Sequence, residues 1–207
     1  MVDKVQIRRL LKAHYNIVGK VSILTNGEVN VSGSVEVRHV PDTGQLSVQF
    51  NEVKGNFEFM VSGETLKDLT GCPRWVGGVF ECSNNHILSL KGAPEYVGDT
   101  FEIRYCELRS LEHGPTHVGG DYLVRRNPLQ SLAHLAGHIG GEVDFEYNPH
   151  MPLLRTLVAE KIDPLRGSSP VTPVAEILNK YAGKGKAGAL QAAAELIRAG
   201  YKENARW

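Results

Sequence analysis

The sequence predicts a mainly β protein with terminal helices: a parallel β-solenoid with 21-residue coils, preceded by a helix and a β cap and followed by a helical hairpin. Three observations predict it. Apolar columns recur at a fixed interval: Leu69, Leu90, Leu111, Leu132 and Leu153; Val76, Val97, Val118 and Ile139; Phe80, Phe101, Tyr122 and Val143; Cys82, Ile103, Val124 and Phe145. A glycine column, Gly77, Gly98, Gly119 and Gly140, and a shorter proline column, Pro73, Pro94 and Pro115, keep the same register. Before this stretch the apolar period is two, and near the C-terminus it becomes helical. A fixed period of this length marks supersecondary units that cannot bury a core alone and must stack on their neighbours.

Residues 1–15 contain the first helix. Asp3 with Gln6 three places later has the form of a capping box, and Val5, Ile7, Leu10 and Leu11 give an apolar stripe over residues 4–14. Arg8, Arg9, Lys12 and His14 make the other side basic, which reads as a solvated face. Residues 16–65 then alternate apolar and polar at Val21 and Ile23, Val29 and Val31, Val35 and Val37, and Phe57 and Phe59. Turn signals at Asn26-Gly27 and Gly44 separate the runs. This is a cap of hairpins or short coils over the first regular coil.

The solenoid itself is assigned to residues 66–162. Within one unit Phe80, Cys82, Asn85, Ile87 and Leu90 follow the order apolar-x-apolar-x-x-Asn-x-Leu-x-x-Leu, which makes the fold leucine-rich-repeat-like. The alternating apolar pair forms a short strand, and strands of successive coils stack in parallel about 4.8 Å apart. The Asn amide both donates and accepts, so it can satisfy backbone groups at the bend that leaves the strand. Asn85, Asn127 and Asn148 hold that position, but Cys106 fills it in the second coil, which predicts a local compromise. The return path, residues 71–78 and 92–98, is too rich in Gly and Pro for a helix and reads as an extended or turn-like side. Residues 151–161 read as a fifth, incomplete coil or a short helical turn.

Residues 163–207 are read as a loop and a helical hairpin. The loop runs to Pro173, with Thr172 as the cap of a helix that ends near Tyr181. Gly183 and Gly185 break it, and a second helix over residues 187–199 ends at Gly200. The intervening Gly-Lys-Gly-Lys lacks the phosphate-loop pattern and follows no strand, so it reads as a charged connector. Trp207 is a candidate anchor for the tail.

Composition narrows the function. Lys plus Arg and Asp plus Glu both number 23 in 207 residues, so no wholesale attraction to nucleic acid or an anionic membrane is expected. No apolar run reaches the roughly 20 residues of a membrane span, and no apolar signal segment is present, which predicts an unexported chain. The three cysteines form no disulfide framework; Cys82 and Cys106 read as small core residues, and Cys72 beside Pro73 as a turn residue open to solvent.

The wording from Gly71 to Asn85 and from Leu88 to Gly98 resembles a family of leucine-rich-repeat-like proteins encoded by tailed bacteriophages and prophages, whose units read SLxGAPxxVGGxFxCSNNxL. The likeness extends to both flanks. It implies a viral origin, a solenoid fold, and residence in the host cytoplasm or in the virion. It carries no catalytic residues, and the second coil departs from it, with Ile103, Arg104, Tyr105 and Cys106 where CSNN would stand.

The candidate surface follows from strand alternation. Outward residues on the concave strands are Glu81 and Ser83, Glu102 and Arg104, Leu123 and Arg125, and Asp144 and Glu146, with Tyr105, Arg126 and Tyr147 at the strand ends. Glu81 beside Glu102, and Arg104 beside Arg125, set like charges on adjacent rungs, which costs a ladder about 0.2–1 kcal/mol per pair. Solvated drift explains this, and so does a face shaped for a partner rich in complementary groups; Tyr and Arg are the types that dominate binding hot spots. His113 and His134 share one column and His117 and His138 another; they are weak metal candidates, expected on turns, with no metal or other cofactor called for. No nucleophile, base and acid group together. The expectation is a non-enzymatic module that binds a host or phage protein, with a structural virion component as the alternative.

Overall fold

The computed structural model describes residues 3–61, 66–166 and 169–207. Residues 62–65 of the expected cap and 167–168 of the expected loop lie outside that description. The chain begins with α1 (Lys4–His14), capped by Asp3, whose carboxylate accepts from the Val5 and Gln6 N–H groups at 3.0 and 2.9 Å. It continues through β1 (Tyr15–Ile17), β2 (Val21–Ile23), β3 (Val29–Val31), β4 (Val35–Val37), β5 (Phe50–Val53) and β6 (Phe57–Phe59). The regular coils follow, each with two short strands: β7 (Trp75–Val76) and β8 (Phe80–Glu81), β9 (Tyr96–Val97) and β10 (Phe101–Glu102), β11 (His117–Val118) and β12 (Tyr122–Leu123), β13 (His138–Ile139) and β14 (Glu142–Glu146). A 3-10 turn (Leu154–Val158), β15 (Lys161–Arg166), β16 (Ser169–Pro170), α2 (Thr172–Tyr181) and α3 (Gly185–Arg198) complete it.

Two sheets face each other. Sheet A has the order β1-β4-β6-β8-β10-β12-β14-β15-β16, and sheet B the order β13-β11-β9-β7-β5-β3-β2. Within the coils the pairing is parallel and in register, Phe57 to Phe80 to Phe101 to Tyr122 to Val143. These side chains form one fully buried row. Phe57, Phe80 and Phe101 stack nearly flat at 5.9 and 5.5 Å, so aromatic stacking adds to the burial of apolar area. The glycine column is what lets the coils approach: a Cβ on Gly98 would lie 2.2 Å from the Gly77 carbonyl oxygen, and Gly119 and Gly140 repeat the contact.

The structure refines the expected boundaries. The return path is a true second sheet rather than a set of turns, because Val76, Val97, Val118 and Ile139 point inward beside extended partners. Solenoid coils begin in the expected cap: β4 pairs with β6 and β3 with β5 in parallel, while β1 with β4 and β2 with β3 are antiparallel. These early coils measure 22 and 23 residues (Val35 to Phe57, Phe57 to Phe80), which is why a strict period hides them. Part of the expected loop after residue 163 is instead β15, in parallel register with β14 over five residues. There α2 packs on the strand through Asn179, whose amide accepts from Ile162 N–H at 2.8 Å and donates to Ile162 O at 2.7 Å. The helix starts one residue earlier than expected, with Val171 as its N-cap and no side-chain cap bond. Cys72, expected at an open turn, is buried with Cys82 and Cys106, and burial pushes all three thiols up.

Candidate functional site on the outer face of sheet A

The outward column of sheet A reads, in register, Glu36, Glu58, Glu81, Glu102, Leu123, Asp144 and Asp163. Six of these seven are acidic, of which alternation alone revealed Glu81, Glu102 and Asp144. Stacking them at strand spacing costs the ladder energy at each like-charged step. Local donors moderate the cost: Asn16 and Arg38 on Glu36, and the Ser83 N–H on Glu81 at 2.8 Å. Glu81 still titrates above the ordinary carboxylate range, first because it is partly buried and then because Glu102 and Glu58 repel its charge.

Past Glu102 the sign of the surface changes. Arg104 donates to Glu102 at 3.2 Å and, reaching across β12, to Asp144 at 2.6 Å. Arg125 approaches the same Asp144 oxygen at 3.6 Å. Leu123 lies between Glu102 and Asp144 in the column and is buried. Asp144 is only 2% exposed and also accepts from the Val124 N–H at 2.9 Å. Its burial pushes the carboxyl up, against the pull of Arg104 and then Arg125. Leu123 and Asp144 are therefore corrections: alternation placed them at the surface, but both are buried, Asp144 beneath the two arginines that share its carboxylate. Asp144 ties the two arginines together from below the surface.

After β8, β10 and β12 the chain bends through a left-handed residue. Asn84, Tyr105 and Arg126 have φ of 59°, 53° and 60°. Asn takes this conformation readily, whereas Tyr and Arg incur about 1–2 kcal/mol each. Tyr105 is 52% exposed and Arg126 is exposed beside it in the next coil. The bend residue that follows is the expected polar column. Asn127 donates to Ile103 O and Val124 O at 2.7 and 2.9 Å and accepts from Leu108 N–H at 3.0 Å. The Cys106 thiol donates over long sulfur distances, 3.6 Å to Cys82 O and 3.5 Å to Arg104 O, the compromise that its column predicted.

The last coil belongs to the cap. Glu146 sits half-buried at the end of β14. Tyr147, expected at the surface, is buried, and its hydroxyl donates to Asn204 at 2.9 Å. Asn204, which no pattern marked, is the residue that fastens the tail: it also donates to Met151 O at 2.8 Å and accepts from Leu153 N–H at 3.1 Å. Trp207 is 68% exposed.

The histidine columns lie elsewhere. His117 and His138 stand on the outer face of sheet B, where they continue a stack of Trp75, Tyr96, His117 and His138 with ring separations of 5.4, 4.7 and 4.4 Å. Imidazole lone pairs lie in the ring plane, so stacked rings aim them side by side rather than at one point. His113 and His134 are exposed on the turns, and no group of three potential metal ligands comes together among the described residues. No helix among those residues is long and apolar enough to cross a membrane.

No protein-family model, no curated protein and no solved structure matches this chain.

Proposed function

We propose that the chain is a non-enzymatic interaction module, of the phage-encoded kind its repeats resemble, that binds a host or phage protein across the outer face of sheet A. The observation that carries the reading is the strained pair Tyr105 and Arg126. A solenoid bend favours Asn or Gly at φ near 55°, yet two consecutive coils hold exposed Tyr and Arg there. Strain of this kind persists where side-chain identity matters more than stability. Beside them Arg104 and Arg125 share the buried Asp144 carboxylate, and Glu81 and Glu102 present the opposite sign one step away. A partner with both charges and an apolar contact for Tyr105 complements this strip.

The test uses the Tyr105→Asn, Arg126→Asn double variant, which relieves strain and leaves the Asp144 cluster intact. Tagged wild type and variant are compared by quantitative mass spectrometry of proteins recovered from infected cells. A partner whose recovery falls about tenfold with the variant, at equal or higher melting temperature, supports the reading. Undiminished recovery of the same partner sinks it.

A second reading, a structural component of the virion, is favoured by the C-terminal hairpin, where Leu190, Ile197 and Trp207 are exposed. Uncovered apolar side chains suit a permanent neighbour. Mass spectrometry of purified particles separates the two, because only the second predicts the protein at fixed stoichiometry in the particle.

A further inference from the structure

The opposite end of the molecule carries a separate surface, and we propose that it is a docking groove for an extended acidic and apolar segment of a partner protein, which adds along the open edge of β2. The groove lies between α1 and β2, with a volume of about 330 Å³. Leu11, Ile17, Val21 and Ile23 line its apolar part, and Arg8 and Lys12, one helical turn apart, stand at its rim.

Both sheets end here. Strand β2 is the terminal strand of sheet B and, among the described residues, pairs only with β3. Across that pair Ser32 N–H bonds to Lys20 O and Leu24 N–H to Glu28 O. The alternation of an antiparallel ladder therefore turns the backbone groups of the intervening Val21 and Ile23 away from β3, towards the open edge. Natural edge strands are protected by charged side chains, Pro, a bulge or a covering element. The residues of β2, Val21-Ser22-Ile23, carry no charge and no Pro, and Val21 and Ser22 are exposed. One carbonyl is covered: Lys4 Nζ donates to Ile23 O at 2.9 Å.

Charge selects the occupant. Helix α1 holds Lys4, Arg8, Arg9 and Lys12 and no acidic residue. None of the ion pairs among the described residues involves Arg8, Arg9 or Lys12. Val5 and Val18 add exposed apolar surface, at 76% and 64%. An extended peptide meets all three features: its backbone pairs with the edge, alternate apolar side chains enter the groove, and carboxylates face the unpaired cations. A lipid offers no backbone to the edge, and a nucleic acid offers nothing to the apolar floor.

The probe is a fluorescein-labelled peptide Glu-Val-Glu-Val-Glu-Val, compared with its Lys-Val counterpart, titrated with the full chain at low and high salt. We expect saturable one-to-one binding of the acidic peptide alone, weakened by salt. Arg8→Glu with Lys12→Glu should weaken it at least about tenfold. Val21→Pro removes an outward N–H that the β2–β3 ladder does not use, as edge strands tolerate, and should also weaken it about tenfold. Melting temperatures confirm that each variant is folded; should Val21→Pro unfold, the charge-reversed variant decides. Equal binding of the Lys-Val peptide, indifference to the charge reversal, no binding up to about 1 mM, or binding to phosphatidylglycerol vesicles without binding to the peptide overturns the proposal. Each of these outcomes leaves the reading of the sheet A face untouched.

Discussion

The outer faces of the two sheets are built from the same coils and at the same spacing, yet they use the stacking of identical positions in opposite ways. On sheet B, Trp75, Tyr96, His117 and His138 lie ring on ring beside the glycine column, so each outward side chain is satisfied by the copy before it. On sheet A the outward column stacks Glu36, Glu58, Glu81 and Glu102, then sets Arg104 beside Arg125, and ends strands in left-handed Tyr105 and Arg126. One face lowers the free energy of the coil and the other raises it. Repetition makes any favourable contact additive along a solenoid, and any unfavourable one as well. Those unfavourable repeats are what make the outer face of sheet A the recognition candidate.

That contrast can be broken most severely at Asp144. Asp144→Ala leaves two arginines without their shared carboxylate and should cost about 3–5 kcal/mol, read by urea unfolding, because removing one partner strands the other charges. A loss under about 1 kcal/mol would mean that the arginines are solvated independently. On the glycine column, Gly98→Ala forces a Cβ against the Gly77 carbonyl and should cost about 3 kcal/mol, with separation of neighbouring coils. Tyr96→Ala removes a ring held on both sides and should cost about 2 kcal/mol, whereas a neutral result would remove the stacking from the account of sheet B. Tyr105→Asn should do the reverse and raise stability by about 1 kcal/mol, since Asn accepts the left-handed bend.

The smallest effect is one of pH. The Glu81 carboxyl titrates above its ordinary value of 4.5 in the folded chain. Stability tied to its protonation is thus complete below 4.5 and is lost as pH rises through the folded value. Acidification from neutral towards 4.5 should raise the melting temperature of the wild type relative to Glu81→Gln, and the difference should shrink but persist in a Glu58→Gln, Glu102→Gln background, because burial is the larger cause of the shift and repulsion the smaller.

The solenoid was legible because its columns sit where backbone geometry allows few alternatives: the Phe80, Phe101, Tyr122 row and the Gly77 to Gly140 column each repeat a contact that only those types can make. The β4 to β6 coils were harder to see, since a change of one or two residues in coil length destroys a strict period without disturbing the parallel register. Alternation correctly turned Glu81, Glu102, Arg104 and Arg125 outward. It failed for Ser83, Leu123 and Asp144, which are buried, because outward does not mean exposed; Tyr147, taken as a surface residue at the strand end, lies instead under the docked tail. Asn204 had no sequence signal, since its partners Tyr147, Met151 and Leu153 lie some fifty residues away.

Sequence alone determined the repeat, its inward rows, the bend amides and the helical ends, all of which follow from local alternation and from backbone groups that must be satisfied wherever a coil turns. Tertiary structure decided the rest: that the return path is a second sheet, that one buried carboxylate holds two arginines, and that the N-terminal end leaves an uncharged strand edge beside unpaired cations. Those features depend on how far a side chain reaches across neighbouring coils and on which edges remain uncovered, and neither distance nor coverage is encoded at any single position.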